Sequence, residues 1–149
     1  SVTGWRVGWV IASPEITGTV RKVHDFLTVG AATPLQQAGI MALGLPDSYF
    51  DSLSAEYDGR RQAAVTMLRE AGFHCYVPGG AYYVMCDMRA LSRMTDVEFA
   101  TDLVERVGVA GVPGSSFYLD PARGSSQIRF CFCKKYETLA AAGERLKKI

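Results

Sequence analysis

Residues 109–133 read VAGVPGSSFYLDPARGSSQIRFCFC, and the fold turns on how this stretch divides. Val109–Pro113 is a short apolar run closed by a proline, as expected of a brief strand. QIRFCFC, from Gln127, alternates: Arg129, Cys131 and Cys133 fall on one face of an extended chain, and Ile128, Phe130 and Phe132 on the other. Between the two lies GSSFYLDPARGSS, polar and rich in glycine and serine, which reads as a flexible loop carrying the aromatics Phe117 and Tyr118. Two short strands joined this way belong to a small sheet, and the arginine sits where strand meets loop.

Helices and strands alternate on either side of this stretch. Upstream, Thr95 and Glu98 form a capping-box pattern opening a helix over VEFATDLVERV. Before it come two strands, HCYVP and AYYVMCDM, joined by a corner at Pro78-Gly79-Gly80. Earlier still, a long amphipathic helix from about Asp47 to Glu70 places Phe50, Leu53, Tyr57, Ala64, Met67 and Leu68 at helical spacing, with a weak point at Gly59. Downstream, Leu139, Ala142, Leu146 and Ile149 line one face of a closing helix. The last hundred or so residues therefore predict an α/β layer with a mostly antiparallel sheet.

The first part of the chain fits this layer poorly. WRVGWVIA reads as a buried strand, followed by a helix from Ser13-Pro14-Glu15 to about Val29 and a second helix capped at Thr33-Pro34 and ending at Gly44. A strand so apolar needs cover on both faces and a sheet to join. The division expected is residues 1–44, the remnant of a larger domain, and residues 45–149, a small domain led by the long helix.

Composition narrows the function. A chain of 149 residues, 48% hydrophobic, can bury one good core. Sixteen basic against fifteen acidic side chains, without long runs of one sign, leave no electrostatic footprint for nucleic acid or a membrane surface. No apolar run is long enough to cross a bilayer and no signal core opens the chain, so a cytosolic protein handling small molecules or protein partners is expected. The four cysteines lack the paired spacing of a zinc site and read as reduced, packed thiols. His24 and His74 are too isolated to suggest ligands.

Several stretches, in order, carry a resemblance. SVTGWRVGWVIASPEI, YDGRRQAAVTMLREAGF, VPGGAYYVMCDM and the 109–133 segment resemble successive parts of class I/II aminotransferases. These are fold-type I enzymes dependent on pyridoxal 5'-phosphate, and the branch most resembled holds aspartate, aromatic and kynurenine-type aminotransferases. The resemblance implies the C-terminal portion of such an enzyme: the final strand and helices of the large domain, then the α/β small domain. It implies an amino acid and a 2-oxo acid as substrates and a homodimer as assembly.

Two arginines acquire roles by this resemblance. Arg6, in TGWR, matches the family's arginine on the cofactor phosphate; on pattern alone it equally suits a strand edge reaching solvent or a carboxylate. Arg129, in QIRFCF, matches the arginine that binds the substrate α-carboxylate, where a planar fork donating two parallel hydrogen bonds fixes orientation. Phe117 is implied as a wall of the substrate site, and Tyr118 more weakly. The family's Schiff-base lysine would lie just ahead of Ser1. Lys22, Lys134, Lys135, Lys147 and Lys148 stand in other contexts, so no catalytic residue is expected within these residues and the stretch alone is expected not to transaminate. The alternatives are a same-fold lyase, of the carbon–sulfur or aminocyclopropane-carboxylate synthase type, and a non-catalytic binding module.

Overall fold

The helix starts follow from local chemistry. In the computed structural model, which describes residues 2–149, helix α1 (Pro14–Thr28) begins as anticipated: Pro14 takes the first helical position and the Ser13 hydroxyl accepts the Ile16 N–H at 3.5 Å. Helix α2 (Thr33–Leu43) departs by one residue. Ala32 holds the cap position and Thr33 is already helical, so the expected threonine cap is not made. A proline fits this start equally well, because the first-turn N–H groups have no helical partner. Helix α3 (Asp47–Glu70) has the extent the periodicity predicts and runs through Gly59 unbroken.

The expected strand over WRVGWVIA is not formed. Thr3–Trp5 is a single 3₁₀ turn, and residues 6–13 carry no regular hydrogen-bonded structure. Trp9, Val10 and Ile11 are exposed. A strand exists only by pairing, and every strand among the described residues lies beyond Phe73, in another part of the fold. The chain packs as two compact units, one ending at Phe50 and one spanning Asp51–Ile149, a division that falls within the first turns of α3.

The second unit is built on a four-stranded sheet of β1 (His74–Tyr76), β2 (Tyr83–Asp87), β3 (Val112–Pro113) and β4 (Gln127–Cys131), in the order β1-β2-β4-β3. All three pairings are antiparallel. Strand alternation sends Cys75, Val84, Cys86, Ile128 and Phe130 into one core with Ala64, Val65 and Leu68 of α3. Phe99 and Ala100 of α4 (Asp96–Asp102) and Leu139 and Leu146 of α5 (Tyr136–Leu146) join the same core. Each large side chain so buried contributes about 1.5–3 kcal/mol relative to exposure. The other sheet face carries Tyr83, Met85, Gln127 and Arg129, all half-buried.

Helix α4 opens on a complete capping box: the Thr95 hydroxyl accepts the Glu98 N–H at 3.3 Å and Glu98 accepts the Thr95 N–H at 2.9 Å. The single helix expected over VEFATDLVERV is instead an α-helix followed by a π turn, Leu103–Val107, which ends at Gly108 with a positive φ of 73°. The wider turn still buries Leu103 and Val107. The flexible loop expected after β3 is an ordered segment holding two 3₁₀ turns, Gly114–Phe117 and Pro121–Gly124.

Candidate functional site

Arg129 lies in the centre of β4, opposite Met85 of β2 on one side and Val112 of β3 on the other. Its guanidinium carbon sits 4.3 Å from the centroid of the Phe117 ring and 4.8 Å from that of Tyr83. Both rings present π density to the cation, and both leave the planar fork with its edge donors unspent. Among the described residues the guanidinium has no ion-pair or hydrogen-bond partner. A permanent charge packed against two aromatic rings, with no hydrogen-bond partner among the described residues, has the donors to take a planar anion such as a carboxylate.

The loop reaches Arg129 because two backbone segments cross at van der Waals limits. A Cβ on Gly124 would lie 2.4 Å from the carbonyl of Gly114, and one on Gly114 would lie 2.5 Å from the Gly124 oxygen. Only hydrogen fits at either position. The crossing draws the two 3₁₀ turns together at the base of the loop, so that the first turn delivers Phe117 over the sheet. Two further contacts brace the loop: the Tyr118 hydroxyl donates to Gln127 Oε1 at 3.2 Å, and Arg123 lies 5.7 Å from the Tyr118 ring centroid.

The structure thus brings Arg129 and Phe117 together and puts Tyr118 in the frame rather than against the cation. Tyr83 belongs to the same cluster and was not singled out by sequence. Its proximity to Arg129 depends on the β2–β4 register, in which Tyr83 opposes Cys131 and so lies diagonal to Arg129.

Arg6 belongs to the first unit. It closes the Thr3–Trp5 turn in a left-handed conformation, φ 54° and ψ 35°, its N–H reaching the Thr3 carbonyl at 3.3 Å. A non-glycine residue in this region is uncommon and is retained where surroundings fix it. The side chain is exposed, and among the described residues it has no ion-pair partner. An exposed guanidinium with no ion-pair partner among the described residues can take an anion such as a phosphate group.

Among the described residues no group of three or more His, Cys, Asp or Glu side chains is placed to hold a metal ion, and no helix is long and apolar enough to cross a membrane. Cys75 and Cys86 are buried opposite one another in β1 and β2.

Residues 1–146 match the family model of aminotransferases of class I and II. The chain is 37% identical to the methionine aminotransferase of Escherichia coli (strain K12) over 99% of its own length and 38% of that protein's. It is 30% identical to the kynurenine–oxoglutarate transaminase of Dictyostelium discoideum over its whole length and 39% of that protein's. The solved structure of N-succinyldiaminopimelate aminotransferase from Mycobacterium tuberculosis superposes with a TM-score of 0.85 at 35% identity, covering 98% of this chain and 38% of that one. The chain therefore spans somewhat more than a third of the length of the curated relatives it matches.

Proposed function

The chain belongs to the class I and II aminotransferase family, and on that premise we propose that it forms the C-terminal portion of an enzyme that moves an amino group from an amino acid to a 2-oxo acid. The observation that carries the reading is the Arg129 guanidinium, unpaired among the described residues and packed against the rings of Tyr83 and Phe117. Amino acids and 2-oxo acids share one feature, a carboxylate next to the reacting carbon. A receptor for that group serves both halves of a transfer reaction.

In this reading Arg129 takes the carboxylate through two parallel hydrogen bonds, which fixes the plane of the substrate as well as its position. Tyr83 and Phe117 pack against the guanidinium and limit where it can move. Arg6 holds the phosphate of pyridoxal 5'-phosphate. When bound, that cofactor supplies the electron sink that stabilises negative charge at the substrate's α-carbon. Residues 1–44 are assigned to the large, cofactor-binding domain and residues 45–149 to the small domain, an assignment that keeps α3 whole, whereas the compact units divide inside that helix, after Phe50. The family resemblance supports a homodimer in the cytoplasm.

The test is kinetic, in the full-length enzyme. Arg129→Lys replaces a fork with a point charge, so the Michaelis constant for the amino acid should rise about tenfold to a hundredfold while bound cofactor is unchanged. Loss of cofactor instead would reject the assignment of Arg129. Release of ammonia or pyruvate without any need for an oxo acid would place the enzyme with the same-fold lyases.

A further inference from the structure

Phe117 reaches Arg129 from a loop, and something must hold that loop to the sheet. The buried polar groups of the second unit identify it. Asp96 is only 3% exposed. It is the first residue of α4, yet its side chain turns outward from the helix: Oδ2 accepts the backbone N–H of Ser115 at 2.7 Å. Its own backbone N–H donates to the Ser125 carbonyl at 3.2 Å. One residue therefore ties down both ends of the crossover between β3 and β4. Ser115 lies two positions before Phe117 within the same 3₁₀ turn, and Ser125 lies two positions before β4 begins at Gln127.

We infer that Asp96 is a positioning residue for the carboxylate receptor, setting the stack of Phe117 on Arg129 from beneath without touching the substrate itself. A hydrogen bond to an ionised carboxylate is stronger than a neutral one, and the helix start places partial positive charge beside this carboxylate. The Gly114–Gly124 crossing fixes where the loop folds. It does not by itself fix the rotation of the turn that carries Phe117. The 2.7 Å bond to the Ser115 N–H does, because it anchors an N–H in the first positions of that turn, one that has no partner within the turn itself. Capping of α4 is a separate duty, performed by Thr95 and Glu98. The carboxylate of Asp96 is thus not needed to start its own helix.

The inference rests on the reading of Arg129 as a carboxylate receptor, and its test separates the two. In the full-length enzyme the Arg129 Nε–H resonance, assigned by its loss in Arg129→Lys, should lie upfield of exposed arginines under the ring currents of Tyr83 and Phe117. Asp96→Ala should move it toward the exposed positions, and so should Asp96→Ser, which keeps a residue suited to a helix start and guards against a variant that fails to fold. Asp96→Asn, whose amide oxygen still accepts the Ser115 N–H, should restore most of the shift. In a Phe117→Ala background, Asp96→Ala should change the resonance no further. An unmoved Arg129 resonance in both Asp96→Ala and Asp96→Ser, or full additivity with Phe117→Ala, overturns the inference. Titration with acetate reads the other premise: an Arg129 resonance that depends on Asp96 but ignores acetate would leave the positioning role standing and remove the carboxylate from it.

Discussion

The hydroxyl of Tyr136 occupies the space that a Cβ on Gly59 would fill, 2.6 Å from its ideal position. Helix α3 therefore meets the start of α5 at the one residue of α3 that has no side chain. Helix propensity alone predicts that Gly59→Ala stabilises by about 0.5–1 kcal/mol. Against that stands the displacement of an exposed tyrosine tip, the Tyr136 ring carbon lying farther off at 3.9 Å. We expect a reduced gain in the native background and the full gain in Tyr136→Phe, where the conflicting atom is gone. Chemical denaturation of the four proteins of the cycle measures it, and equal gains in both backgrounds would refute the contact.

The thiols should react in a fixed order. Cys86 donates to Cys75 across the β1–β2 pair, with the sulfurs 3.6 Å apart. That hydrogen bond first, and burial second, push the Cys86 thiol far above the ordinary range. Cys131 is exposed, but partial desolvation and then its neighbour Cys133 raise its thiol too. Because the thiolate is the nucleophile, iodoacetamide should label Cys131 at a rate that climbs with pH to a midpoint above that of a free thiol. The hydrogen bond from Cys86 lowers the Cys75 thiol, but Cys75 and Cys86 are both buried, and their inaccessibility should keep them unlabelled until the chain unfolds. Mass spectrometry of timed digests decides, and early labelling of Cys86 would show that its strand pair opens.

Asp87 gives the chain a defined acid limb. It is buried at the end of β2 and receives the Arg89 backbone N–H at 2.9 Å and its guanidinium at 2.5 to 3.0 Å. The guanidinium bond holds the carboxyl below the usual carboxylate range. A depressed folded-state pKa means that the unfolded chain binds the proton first. The contribution of Asp87 is then complete above its unfolded pKa of about 3.9 and disappears as pH falls through the lower folded value. Thermal melts between about pH 6 and pH 2.5 should show a steeper acid decline for the native chain than for Asp87→Asn. Parallel curves would mean that the Arg89 contact does not persist in solution.

Much of this architecture was legible because it is local. Ser13 with Pro14, and Thr95 with Glu98, state helix starts within four residues, and the alternation around Arg129 states which face of β4 is buried. What the sequence could not supply depends on contacts between distant segments. Trp5–Ala12 has the composition of a buried strand, but composition cannot provide the neighbour that a strand requires. Tyr83 approaches Arg129 only through the register of two strands separated by α4 and β3. The bond of Asp96 to Ser115 depends on how the loop folds back. In the loop itself, a composition rich in glycine suggests flexibility, whereas Gly114 and Gly124 serve close packing. Sequence gives the same letter for both uses.

That distinction can be tested at Gly124. If the residue were merely flexible, alanine would be tolerated or even mildly stabilising, since it restricts the unfolded chain. If it is a packing site, its Cβ must push apart the Gly114 carbonyl and the Ser115 nitrogen, the latter 2.6 Å away. Both are backbone atoms, which cannot rotate aside as a side chain can. Gly124→Ala should then cost about 1–3 kcal/mol, as overpacking does, and lower the melting temperature by roughly 4–8 °C for each kcal/mol in a unit of this size. The Ser115 N–H bonded to Asp96 lies at the point of collision. The Arg129 Nε–H resonance should therefore shift toward the exposed arginines in the same variant, at temperatures where the chain remains folded. A variant as stable as the native chain, with the Arg129 resonance in place, would show that the loop accommodates the methyl group and that the glycine crossing does not hold Phe117 against Arg129.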